Sequence, residues 1–185
     1  MLTRQHFPLR PLRFVATFVM IVTLVLANAS FASAQEEKRS SAFADVVKGV
    51  VFDHTTYAPA LIGYHSTMKD WNTSQPFFQN GFVEHNQRFT VTGRPDDTAL
   101  SYMVGRNQIF KDAMTTLGVT AAQNATSRIV ERALLQRYPD HRKVVKTVGW
   151  IQRISLASLM SYHLSASHYR QAEINAQRAA QLGLR

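Results

Sequence analysis

Apolar side chains recur at intervals of three and four residues along most of the chain beyond residue 42, and glycine or proline separates the successive runs. This spacing places apolar residues along one face of an α-helix. Phe43, Val46, Val47 and Val50 form the first such run. No repeat of 20 to 50 residues is visible, which argues against a solenoid. The pattern predicts one all-α domain over residues 43–185, folded as an irregular bundle of about five helices.

The predicted helix boundaries follow from residues that suit helix ends. Pro59 falls in the first turn of the second helix, where its missing N–H costs nothing. Gly118 stands where a left-handed cap would end the third helix, and Pro139 stops the fourth. The five helices are predicted at residues 41–52, 56–72, 98–117 and 120–138, and from residue 140 onwards.

The helical period breaks between Trp71 and Asp97, where two prolines and two glycines occur. We predict a long connecting loop here, with one helical turn at 81–86. A connection of this length is uncommon unless it has a role or its own packing. Aromatic rings beside neutral amides suit stacking on sugar rings or binding of an apolar peptide, whereas the alternative is that the rings close the end of the bundle. The candidate ligand-binding residues are Trp71, Asn72, Gln75, Phe77, Phe78, Asn80 and Phe82.

The first 34 residues have the pattern of a signal peptide. Three arginines precede an apolar stretch at 14–26, and Ala32-Ser33-Ala34 supplies the small residues of a cleavage site. The alternative is an uncleaved anchor at 14–32. Either interpretation predicts an exported protein, either periplasmic or secreted, or held at the membrane with its domain outside the cytoplasm. Residues 35–42 are then a short polar linker.

Several classes of chemistry are excluded or unsupported. The chain has no cysteine, which excludes zinc–thiolate sites, cysteine nucleophiles and thiol redox chemistry. It also lacks the local motifs of zinc proteases, serine hydrolases and nucleotide-binding proteins. We therefore predict no metal and no cofactor. Lys146 and Arg153 interrupt the most apolar helix, so the domain after residue 34 is not expected to span a membrane.

The net charge of +9 is unevenly distributed. Residues 35–127 carry eight basic and nine acidic side chains, whereas residues 128–185 carry ten basic and three acidic ones. Arg142, Lys146 and Arg153 fall on one side of the last helix. This side is either a solvated face or a surface that binds an anionic component or a protein of the cell envelope. Nucleic acid is not an expected partner after export.

Small residues recur every four positions at Ala157, Ser161 and Ser165, a spacing that lets another helix approach closely. The approaching helix belongs either to the same chain, which is our preferred interpretation, or to a second copy in a homo-oligomer.

The candidate catalytic residues lie within or close in sequence to the segment 71–89, which is rich in Trp and Phe and which we call the aromatic segment. They are His65, Asp70, Glu84 and His85. A carboxylate beside an imidazole orients the ring and raises its basicity, which suits general acid–base catalysis. The primary hypothesis is a non-enzymatic binding or assembly module of the cell envelope, and the alternative is a small hydrolase-like enzyme that uses such a pair.

Overall fold

The computed structural model describes residues 36–184, which form an all-α fold as predicted. Two short 3₁₀ turns, at Gln87–Phe89 and Pro139–His141, lie in the connections. The predicted signal peptide or anchor at 1–34 lies outside the described residues. No helix in the described range has the length and apolarity that a membrane crossing requires. The four α-helices of that range are α1 (Glu36–Val51), α2 (His54–Gln79), α3 (Tyr102–Arg137) and α4 (Arg142–Leu182).

The structure has four helices over this range where the sequence predicted about five, because α3 continues through Gly118. Glycine in a helix interior costs about 1 kcal/mol relative to alanine, and tertiary contacts override that cost. The Thr120 hydroxyl donates to the backbone carbonyl of Thr56 at 2.6 Å, and the Asn124 amide donates to the Thr56 hydroxyl at 2.8 Å. These bonds hold the segment after Gly118 against α2 in helical conformation.

Helix α2 also continues beyond its predicted end at residue 72, through Pro76 to Gln79. Side chains in this part bond to backbone carbonyls one turn earlier. Ser74 donates to the carbonyl of Asp70 at 2.9 Å, and Gln75 donates to that of Trp71 at 3.0 Å. The connection to α3 is therefore 80–101, shorter than the predicted loop, and its helical turn lies at Gln87–Phe89 rather than at 81–86.

Helix α1 begins at Glu36, so most of the segment that we assigned to a polar linker, 35–42, is helical. Its Glu, Lys and Arg residues are good helix formers, and their polarity does not distinguish a linker from a solvated helix.

Helix α2 is the central element of the bundle. It runs antiparallel to α3, because Thr56 contacts Thr120 while Trp71 lies against Gly105. It runs parallel to α4, where Gly63 lies against Leu164 and the Ser74 hydroxyl accepts from Asn175. Helix α1 packs on the C-terminal half of α3. The N-terminal parts of α1 and α4 therefore lie at the same end of the bundle as the C-terminus of α3.

Helix α4 meets α2 through small side chains. Ala157, Ser161 and Ser165 are 7–9% exposed within the chain itself, so the interpretation of this stripe as intramolecular packing is correct and the residues are not available as a homo-oligomer seam. Large apolar side chains of α4 face outward instead. Val144 and Val148 are 61% and 59% exposed.

The apolar core lies at the end of the bundle where the C-terminal part of α2 meets the N-terminal part of α3, and we call this the aromatic end. Trp71, Phe89 and Ile109 pack together, and each is 6% exposed or less. The indole N–H donates to the backbone carbonyl of Tyr102 at 3.3 Å. Its ring lies so close to Gly105 that a Cβ there would be 2.2 Å from the ring carbon Cζ2. Glycine is therefore needed at residue 105 for the tryptophan to enter the core.

A buried ion-pair cluster replaces apolar packing where α1 meets α2. Asp53 Oδ2 lies 2.7 Å from Arg128 Nη2 and 3.1 Å from Arg153 Nε, and Arg153 Nη1 lies 2.8 Å from Glu131 Oε2. Arg153 is only 6% exposed, so its assignment to an anion-binding surface is wrong. Burial alone would raise the pKa of Asp53, but hydrogen bonds from Thr55 and the charge of Arg128 bring it below its ordinary value.

Candidate functional site

A cleft of about 350 Å³ opens at the aromatic end of the bundle, between α2, the connection 80–101 and the C-terminal part of α4. One side is polar and the other is aromatic. The residues that line it are Thr67, Asp70, Trp71, Ser74, Phe77, Phe78, Phe82, Val83, Glu84, His85, Asn86, Phe89, His168, Gln171, Asn175 and Arg178.

The polar side is a hydrogen-bonded cluster across the α2–α4 interface. His168 Nδ1 lies 2.8 Å from Asp70 Oδ2, and the Asn175 amide donates to Asp70 Oδ1 at 3.2 Å and to the Ser74 hydroxyl at 2.9 Å. The Asp70 and His168 side chains are 18% and 30% exposed. Because Asp70 accepts through both of its oxygens, its position is fixed, and Nε2 is the ring nitrogen of His168 left for another partner.

The aromatic side is built by the end of α2. Gly81 has a φ of 82°, and the N–H groups of Gly81 and Phe82 donate back to the carbonyls of Phe78 and Phe77. This is the Schellman arrangement, which commonly brings the flanking apolar residues together. The rings of Phe77 and Phe82 accordingly meet edge to face, with centroids 5.5 Å apart. Phe77 is buried, whereas Phe82 is 44% exposed and available to a ligand.

Glu84 adds a second carboxyl group to the cleft. Its burial raises its pKa, and the neighbouring charge of Asp70 raises it further, although the backbone N–H of Asn86, 2.7 Å from Oε1, acts in the opposite direction. Glu84 is held in place by the backbone of the connection, since its N–H and carbonyl pair with those of Asp97 at 2.8 and 3.2 Å. The cleft thus holds one fixed carboxylate and one carboxyl group that binds a proton more readily than usual.

A second cavity of about 310 Å³ lies between α2, α3 and α4. It shares Thr67, Asn86, Phe89 and His168 with the cleft, so His168 borders both spaces. Its other lining residues include Gly63 on α2 and Leu164 on α4.

The sequence-predicted catalytic set is only partly brought together. Asp70 and Glu84 share the cleft, but His65 does not line it, and its Nδ1 lies 2.9 Å from the hydroxyl of Tyr169 on the surface. His85 lines the cleft but is exposed and paired with Asp96. His65 therefore contacts neither carboxylate, and the charge of His85 acts on Glu84 while its side chain is paired with Asp96. The imidazole paired with Asp70 is that of His168.

The predicted binding residues divide in the same way. Trp71, Phe77, Phe78 and Phe82 line the cleft, but the three amides do not. Asn72 accepts from the hydroxyl of Tyr102 at 3.1 Å, and Gln75 and Asn80 bond to backbone carbonyls of their own helix. These amides support local structure.

Sequence reasoning missed the α4 side of the cleft. His168, Gln171, Asn175 and Arg178 recur every three or four residues, so they lie on one face of α4. The small-residue stripe continues past Ser165 through the buried Ala172 and Ala179. His168 and Asn175 lie on the same side of α4 as this stripe, so extending it along the helix would have pointed to these two residues.

Of the three residues predicted to form an anion-binding surface, Arg142 and Lys146 are exposed, and both lie at the start of α4. Among residues 36–184, no group of three histidine or carboxylate side chains converges closely enough to hold a metal ion.

Comparison of this chain with protein-family models, with curated proteins and with solved structures finds no match. Its function must therefore be argued from the cleft and the surface alone.

Proposed function

We propose that this protein is an exported binding module of the cell envelope that holds a small organic ligand in the cleft between α2 and α4. The observation that carries the proposal is the juxtaposition of the Asp70–His168 pair with exposed aromatic surface at Phe82. A cavity with apolar walls and a few convergent polar groups is the usual form of a small-molecule site. Export is supported by the basic and apolar pattern of residues 1–34.

The cleft favours a ligand with two different parts. A hydrogen-bonding group fits beside Asp70 and His168, and a ring or short apolar chain fits against Phe78 and Phe82. Both sides are already ordered by contacts within the chain, so a ligand does not have to order them on binding, which favours affinity.

Native mass spectrometry of the protein after incubation with the small-molecule fraction of an envelope extract tests this proposal. We expect a bound mass on the parent chain and at least tenfold lower occupancy for Asp70→Asn, which removes the charge from the polar side. Asn80→Ala is the matched control, because Asn80 is an amide outside the cleft that bonds to Pro76. Equal occupancy in all three proteins, or no bound mass at all, contradicts the proposal.

A second candidate function is supported by the Asp70–His168 pair itself. A carboxylate on Nδ1 fixes the orientation of the imidazole and leaves Nε2 to accept a proton, as a general base requires. The Ser74 hydroxyl donates to the carbonyl of Asp70, so a water molecule is the nucleophile that His168 would activate. Glu84, with its raised pKa, is the candidate proton donor. The reaction class is hydrolysis by general acid–base catalysis.

A panel of chromogenic esters, amides and glycosides separates the two candidates. Hydrolysis predicts a measurable rate that falls at least about a hundredfold in His168→Gln, as loss of a general base does. His65→Gln is the control, since His65 is exposed and lies outside the cleft. Ligand binding without turnover in the parent chain favours the binding module.

A further inference from the structure

The end of the bundle opposite the cleft presents a second surface, which we call the basic end. It comprises α1 from residue 43, the last part of α3 from residue 128, the turn at Pro139–His141, and α4 as far as residue 153. Its helices meet through polar and charged groups. Asp45 lies 3.4 Å from Arg132, and Arg153 is paired with Glu131.

The apolar stripe of α1 points away from the bundle. Asp45 faces α3, and so does Gly49, where a Cβ would lie 2.6 Å from Arg128. Residues two positions from these lie on the opposite side of a helix. Phe43 and Val47 are accordingly 72% and 42% exposed.

In the first turns of α4, too, small or charged residues face the bundle and apolar residues face outward. Gly149 and Arg153 are buried, whereas Val144, Val148 and Ile151 are more than half exposed. These three recur at intervals of four and three residues, so they form one continuous stripe on the outer side. Two helices at one end of the molecule thus expose the apolar stripes that usually form a core.

Positive charge lies beside these stripes. Lys48 and Lys143 are exposed and directly follow or precede a stripe valine, Val47 or Val144, so they flank the stripes. Arg137 is also exposed at this end, as are Arg142 and Lys146 on the other side of α4. The exposed carboxylates in this part of the described chain are Asp45, which is paired with Arg132, and Asp140. Trp150, 56% exposed, lies one turn beyond Lys146. Basic side chains beside apolar ones, with an exposed tryptophan, are typical of helices that lie in a membrane interface.

We propose that the basic end docks on a lipid bilayer that carries anionic headgroups. The stripes of α1 and α4 enter the boundary between headgroups and acyl chains, and the lysines and arginines pair with lipid phosphates. A second copy of the chain fits this surface less well, because a two-fold dimer places a patch against itself and the same cations would meet. In sequence, α1 begins two residues after the predicted export segment ends.

Vesicle flotation with the protein purified from cells, without further truncation, tests the proposal. We expect binding to vesicles containing phosphatidylglycerol at low salt, at least tenfold tighter than binding to phosphatidylcholine alone. Each cation removed lowers affinity about fivefold, so Lys48→Gln/Arg137→Gln/Lys143→Gln lowers it about a hundredfold. The matched control removes the same charge from the other end, with Arg94→Gln/Arg106→Gln/Lys111→Gln, and changes affinity less than about twofold.

Fluorescence gives an independent readout of which end touches the bilayer. Binding shifts the tryptophan emission to shorter wavelength in the parent chain and not in Trp150→Phe, which keeps the buried Trp71. Equal affinity for both kinds of vesicle, no binding at low salt, or equal loss in the two triple variants overturns the proposal. A dimer in sedimentation that dissociates in Val144→Ser/Val148→Ser also overturns it, since the stripe then belongs to a second copy.

Discussion

Trp71, Phe89 and Ile109 fill the aromatic end of the bundle, whereas Asp53 and Arg153 are among the side chains enclosed between the helices at the basic end. The same chain therefore holds its helices together in two ways. Removal of apolar surface from water stabilises the aromatic end directly. Buried ion pairs add little net stability because desolvation offsets their attraction, but they are costly to break. The basic end consequently leaves its apolar side chains, such as Phe43 and Val144, exposed to solvent.

The two tryptophans give the largest expected contrast between the ends. Trp71→Ala removes the centre of the core and should lower the free energy of unfolding by about 3–5 kcal/mol. Trp150→Ala, at a position 56% exposed, should change it by less than about 0.5 kcal/mol. Urea unfolding followed by far-UV circular dichroism measures both. Similar losses in the two variants would mean that the ends do not differ in this way.

Breaking the ion-pair cluster should cost nearly as much. Arg153→Met leaves the partly buried Glu131 without its partner and removes one of the two arginines beside Asp53, and we expect a loss of about 3 kcal/mol. Arg142→Met, the same change at an exposed position, should have an effect below about 0.5 kcal/mol. Adding Glu131→Leu to Arg153→Met should recover part of the loss, because the uncompensated charge is removed. A further loss in the double variant would contradict this explanation.

The sequence was sufficient to predict the fold class, because a helical period is visible in local spacing. It was not sufficient to predict which helix face is buried. An apolar stripe is typical of a buried helix face, and α1 and α4 each have one. Gly49 and Gly149 nevertheless allow close approach to Arg128 and Glu131, respectively, so the opposite face of each helix is the one that packs on α3. These contacts between a glycine of one helix and a side chain of another join residues that are distant in sequence, so local spacing does not reveal them.

The candidate site shows the same limit. Asp70 and Glu84 were identified because they flank the aromatic segment, and both line the cleft. Their histidine partner, His168, lies 98 residues from Asp70 in sequence. No local motif links them, since the pair exists only where α2 and α4 run side by side. The parallel alignment of these two helices is a property of the tertiary fold.

A smaller effect is expected at the glycines of α3. Gly118 is exposed, and a Cβ added to it would have no other part of the chain within 4 Å, so Gly118→Ala should stabilise the protein by about 0.5–1 kcal/mol through helix propensity alone. Gly105→Ala is the counterpart in the same helix. Its Cβ would collide with Trp71, so it should destabilise the protein. Calorimetric melting temperatures that move in the same direction in both variants would contradict the packing described for Trp71.

The smallest expected effect is the change of stability with pH at two carboxyl groups whose pKa values shift in opposite directions, Glu84 in the cleft and Asp53 in the ion-pair cluster. The pKa of Glu84 is raised above 4.5, so its protonated form stabilises the fold below that pH, and this contribution is lost as pH rises through the raised value. Glu84→Gln should therefore match the parent in acid and be slightly more stable at neutral pH. The pKa of Asp53 is lowered below 3.8, so its contribution is present above that pH and lost as pH falls through the lowered value. Asp53→Asn should accordingly be less stable than the parent at neutral pH, with the difference shrinking in acid. Urea unfolding across this pH range measures both differences, and a parallel pH dependence in the two variants would show that the carboxyl groups do not occupy opposite electrostatic environments.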